Sequence, residues 1–163
     1  MKHHRIQVLH KSYVIVGLTG LLLVWLAQAL SVNGLLTQIL PPLGWQILSG
    51  VALLALVAFQ WGLFYNRLRK HASGIRRYYA LHKYLGLVTI LIFALHAART
   101  GHGWTLALFI VFVALATTGL LNRGIMRYHP AWWHSVWLWL HISLSALLIP
   151  LVALHVVVAL AYT

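Results

Sequence analysis

The sequence contains no cysteine, no aspartate and no glutamate. Without cysteine there are no disulfides, no iron–sulfur clusters and no thiolate zinc sites within these 163 residues. Without acids there is no paired-carboxylate hydrolysis, no carboxylate-ligated di-metal centre and no Ser-His-Asp triad. Charge of any kind is scarce. Charged residues are 7% of the chain, against about 25% in ordinary soluble domains. All of that charge is positive, from 12 Lys and Arg.

What fills the chain instead is apolar. Hydrophobic residues make up 62% and the mean hydropathy is +0.87, which places the chain in the membrane class. A pI near 11.1 then points to basic loops facing anionic lipid headgroups or an acidic partner, and not to nucleic acid.

Crossing a bilayer core takes roughly 20 apolar residues per helix. Five stretches meet that demand, at about 12–32, 43–64, 80–98, 103–121 and 133–161. The expected fold is all-α: one transmembrane domain over 1–163, an integral membrane bundle of five helices. Pro150 falls inside the fifth stretch, where a local kink is expected. Residues Lys2–Lys11, the apolar run after them and Ala27-Gln28-Ala29 together resemble a secretory signal peptide. The run is longer than a signal core, so it is read as a retained helix. Gly17 and Gly20 suggest close packing for that helix, and Gln28, Gln46 and Gln60 are read as packing or interfacial residues.

The basic residues give an orientation. Lys2, Arg5 and Lys11 precede the first stretch; Arg67, Arg69, Lys70, Arg76 and Arg77 separate the second and third; Lys83 begins the third; Arg123 and Arg127 precede the fifth. Five crossings put all of these on one side, with Arg99 alone on the other. Because cytoplasmic loops hold the Lys/Arg excess, the N-terminus is expected to be cytoplasmic and the C-terminus extracytoplasmic. The chain is then a multi-pass protein of the cytoplasmic (inner) membrane. Trp45 and Trp104 fall at expected outer interfaces and Trp132 and Trp133 at an inner one, as an aromatic belt requires.

Histidine is the abundant polar residue, with 11 copies. Four lie inside apolar stretches: His82 and His96 in the third, His141 and His155 in the fifth. The separation is fourteen residues both times. On a helix that is a rise of roughly 21 Å and close to four full turns, so both rings share a face. The third and fifth helices run the same way across the membrane. His82 is therefore expected level with His141 near the inner face, and His96 with His155 near the outer face. Two imidazoles at one depth suit the axial positions of a haem, whose apolar macrocycle fits a bundle interior. With no cysteine for covalent attachment, the expected cofactors are two haem b. Zinc or copper fits less well, since two histidines per level do not complete a tetrahedral site. A lone membrane histidine is as readily a hydrogen-bonding residue as a ligand. Four in a doubled pattern favour ligation, because polar groups at that depth are costly.

Other residues join this scheme. Gly86 and Ser145 each follow a histidine by one turn and leave room for a porphyrin plane. Lys83, Arg76, Arg77 and Arg127 at the inner level, and Arg99 with His102 at the outer, are candidate partners for haem propionates. His3, His4, His10 and His71 are read as solvated. His129 and His134 near the start of the fifth helix are candidates for a propionate contact or a proton relay at a quinone pocket, against the simpler reading as amphipathic interface residues.

The stretch Leu81-His82-Lys83-Tyr84-Leu85-Gly86, with His96 following, resembles the haem-binding helix of ferric-reductase-like transmembrane cytochromes. Leu140-His141 through Leu154-His155 resembles its partner helix. The resemblance covers a core of 76–162 and extends to the cytochrome b561 group. It implies bis-histidine haems with ligands on the third and fifth helices. The chain departs from the pattern in showing no sixth helix and no flavin or nicotinamide segment. Electrons are then expected from quinol or a separate cytoplasmic reductase, and expected to leave to an extracytoplasmic carrier or another subunit of a redox complex. Two other classes stay open: a self-contained quinone-linked superoxide or ferric reductase, and a non-redox structural or metal-carrier membrane subunit.

Overall fold

The computed structural model describes residues 2–32, 43–68, 75–97, 103–121 and 130–161. Those residues form five α-helices and no strand: α1 (Lys2–Val32), α2 (Leu43–Leu68), α3 (Ile75–His96), α4 (Trp104–Leu120) and α5 (Ala131–Ala161). Each of the five expected stretches is a helix. α1 starts ten residues before its apolar stretch, because helical hydrogen bonding runs back through the basic segment. α3 starts five residues early and ends two early. α5 continues through Pro150; one missing N–H does not end a helix whose other hydrogen bonds persist.

Four helices are long and apolar enough to cross a membrane: Ser12–Leu30, Leu43–Gly62, Arg77–His96 and Trp132–Ala161. α4 is shorter, with 17 residues, and reaches about 26 Å against a hydrocarbon core of about 30 Å. The surface agrees with a lipid solvent. Leu160 is 75% exposed, Trp139 69% and Leu22 67%, and large apolar side chains exposed in such numbers are avoided in water. The chain is a multi-pass helical membrane protein on this composition, length and surface.

The chain divides into two compact units, Ser12–Arg99 and Thr100–Thr163 with Met1–Lys11. In the first, α2 packs on α3, and α1 lies along α3 in parallel. Tyr13 meets Lys83, Gly20 meets Ile90 and Leu91, and Gln28 Nε2 donates to the Ala97 carbonyl. The offsets are 70, 70 and 69, a constant register. On α1 the buried positions are Tyr13, Gly17, Gly20 and Val24, alternating by four and three as in a coiled-coil seam. A Cβ on Gly20 would lie 3.0 Å from Ile90 Cγ2, so the expected close packing of α1 is found there. In the second unit α4 and α5 pair as an antiparallel hairpin.

Candidate functional site: four intramembrane histidines

Both histidine pairs lie on unbroken helices. His82 and His96 belong to α3, and His141 and His155 to α5. The fourteen-residue spacing is therefore a real rise of roughly 21 Å in each helix. All four side chains are half-buried.

His96 is held by α2. Its Nδ1 lies 2.9 Å from Ser49 Oγ, and Ser49 is only 3% exposed. The same hydroxyl donates to the Trp45 carbonyl at 2.7 Å and reaches the Gln46 carbonyl at 3.3 Å. Gly50, the next residue, lies against the ring: a Cβ there would sit 3.2 Å from His96 Cε1.

His141 is held by α4 in the same way. Its Nδ1 lies 2.9 Å from Thr118 Oγ1, which donates to the Leu115 carbonyl at 2.8 Å. Gly119 again follows, with its missing Cβ 3.5 Å from His141 Cε1. Thr118 also accepts Trp137 Nε1–H at its carbonyl, at 2.7 Å. Trp137 stacks between His134 and His141, with centroids 5.3 Å and 6.0 Å away and ring planes within 30° and 20°. At the other end of the hairpin, Trp104 faces His155 at 5.3 Å. Trp104 precedes Thr118 by fourteen residues, so α4 repeats the histidine spacing of α5.

Ser49, Thr89 and Thr118 are the buried polar residues among those described. Two of them hold histidines. The third, Thr89, lies midway between His82 and His96 on α3. It accepts from Gln60 Nε2 at 2.8 Å and donates to the Leu85 carbonyl at 2.7 Å. These three buried hydroxyls thus each take part in a hydrogen bond between neighbouring helices.

The other expected site residues are distributed unevenly. Gly86 borders open space, with nothing within 4 Å of a Cβ position. Ser145 is half-buried and Arg77 is exposed. Lys83 places Nζ 4.0 Å from the centre of the Tyr13 ring, a cation–π contact between α3 and α1. Arg76 lies in the first turn of α3. Arg99, Arg127, His102 and His129 fall outside the described residues. Sequence reasoning passed over Ser49, Gly50, Thr118, Gly119 and Trp137. The only signal was a hydroxyl–glycine dipeptide in an apolar run, and Thr19-Gly20 carries the same dipeptide without a histidine.

Among the described residues, no three His, Cys, Asp or Glu side chains gather as a ligand set for a metal ion. A haem asks less of the protein: two nitrogen donors and a flat apolar slot. Each of the four half-buried imidazoles on an apolar helix has the chemistry of one such donor, and Gly86 leaves open space beside α3. No family model, no curated protein and no solved structure matches the chain.

Proposed function

We propose that the chain is a b-type cytochrome of the cytoplasmic membrane, in which His82 with His141 and His96 with His155 ligate two haem b. The observation that supports this reading is the repeated fourteen-residue histidine spacing on two continuous apolar helices. Five spans, with the N-terminus cytoplasmic and the C-terminus outside, bring each pair to one depth. Haem supplies one-electron redox chemistry when bound. The residues of the chain ligate, orient and shield. The four imidazoles would hold the two haem irons, one nitrogen each. Gly86 and Ser145 leave space one turn away. Apolar side chains exclude water, and Arg76, Arg77, Arg127 and Arg99 would pair with propionates near the two faces, with Lys83 adding positive charge at the inner one. The function is electron transfer across the bilayer, from quinol or a cytoplasmic reductase to an extracytoplasmic carrier or partner subunit.

The test is a reduced-minus-oxidised spectrum of the detergent-purified chain, with haem counted as the pyridine complex. Two haem b per chain are expected. His82→Ala or His141→Ala removes one, and His96→Ala or His155→Ala removes the other. Retention of both haems in the His96→Ala/His155→Ala double variant would sink the assignment, as would colourless protein from cells well supplied with haem.

A further inference from the structure

The two held histidines share a local design on different helix pairs. In α2 it is Ser49-Gly50 against His96, and in α4 it is Thr118-Gly119 against His141. Both Nδ1-to-hydroxyl distances are 2.9 Å. In both, the hydroxyl also has an acceptor in its own helix, a carbonyl at 2.7 Å or 2.8 Å. A hydroxyl has one proton to give. When that proton goes to the carbonyl, as the 2.7 Å and 2.8 Å contacts allow, the oxygen can only accept from the imidazole. The ring must then carry its proton on Nδ1 and leave a lone pair on Nε2.

We infer that Ser49-Gly50 and Thr118-Gly119 are two seats that lock His96 and His141 as Nδ1–H tautomers with Nε2 presented as a ligand. The hydroxyl sets the tautomer and the ring direction. The glycine lets the ring edge approach the helix, tightly at Gly50 and at ordinary contact at Gly119. Ser49 and Thr118 are positioning residues, each for one histidine. Resting on the haem reading above, each seat serves a different haem, because His96 is assigned to the outer level and His141 to the inner. An Nδ1–H held by an acceptor makes the ligating nitrogen more basic, which favours the ferric state and lowers the haem potential.

The test has two readouts. The first uses the full chain purified without haem and labelled with 15N-histidine in detergent micelles. His96 and His141 are expected as Nδ1–H tautomers. Ser49→Ala should release only His96 into a tautomer mixture, and Thr118→Val only His141. Ser49→Thr and Thr118→Ser keep the hydroxyl and should preserve the wild-type signals. Thr118→Val also keeps the carbonyl that binds Trp137, so the hairpin contact survives. Nε2–H tautomers in the wild-type chain would overturn the inference. The second readout is a potentiometric titration of the haem-loaded chain. Ser49→Ala should raise one midpoint potential and Thr118→Val the other, with haem affinity falling roughly ten-fold at the affected site. Unchanged potentials in both variants would also overturn it. Should the chain bind no haem while the tautomers are as stated, the haem assignment fails and the seats stand.

Discussion

At the scale of single residues, the buried hydroxyls are few and each is used twice. Ser49 and Thr118 each serve a carbonyl and a histidine at once. Thr89 serves Gln60 and the Leu85 carbonyl. Lipid offers no replacement for a lost partner, so small changes here are felt. The glycines make a sharper case, because the two seats differ in clearance. Gly50→Ala places a methyl 3.2 Å from His96 Cε1, and the ring must give by a few tenths of an ångström. Gly119→Ala places one at 3.5 Å from His141 Cε1, an ordinary contact. Haem titration of the two variants should show a weakened outer site for Gly50→Ala and wild-type binding for Gly119→Ala. Equal behaviour of the two would contradict the geometry.

At the scale of helices, association has little hydrophobic drive, because lipid tails are as apolar as leucine. Close backbone approach and hydrogen bonds between helices take over. At Gly20 of α1 the Ile90 side chain of α3 comes up to the helix, and α2 on α3 shows the hydrogen bond at Gln60–Thr89. Gln60→Leu removes the α2 side of that bond while Thr89 keeps its own-helix acceptor. The expected loss is about 0.6 kcal/mol, the average for a membrane side-chain hydrogen bond, read from unfolding in mixed micelles. A loss above the roughly 1.7 kcal/mol maximum for such bonds would mean that Gln60 carries a further role. α4 raises a separate question of length, since 17 residues fall short of a full core. Trp104 at its first position is placed to anchor it at an interface, and local thinning of the bilayer accommodates such a mismatch at modest cost.

At the scale of the whole molecule, the charge distribution sets the expected topology, and the absence of cysteine makes that topology easy to read. Single cysteines can be introduced without background. In intact cells a membrane-impermeant maleimide should label Thr100→Cys and Thr163→Cys. It should reach His71→Cys and Met126→Cys only after permeabilisation. Labelling of positions 100 and 126 from the same side would show that α4 does not cross, and the proposed level-matching of the histidine pairs would fall with it.

How much of this was legible beforehand follows from the physics of a membrane chain. Apolar runs of the right length mark five helices without ambiguity, since backbone groups in lipid have no other way to be satisfied. The missing acids and cysteines bound the chemistry, and the fourteen-residue spacing singles out four histidines, because helical geometry alone puts them on one face. The ends of helices were less legible: α1 and α3 begin in basic segments that hydropathy reads as loop. Least legible was which face of each helix packs. In a soluble protein the polar face announces itself. Here residues are apolar all round: on α1 the glycines Gly17 and Gly20 suggested a packed face, but burial at Tyr13 and Val24 left no mark in the pattern. The partners of His96 and His141 were hidden for the same reason. Ser49 and Thr118 lie 47 and 23 residues from the rings they hold, and only the packing of α2 on α3 and of α4 on α5 brings those hydroxyls within hydrogen-bonding reach.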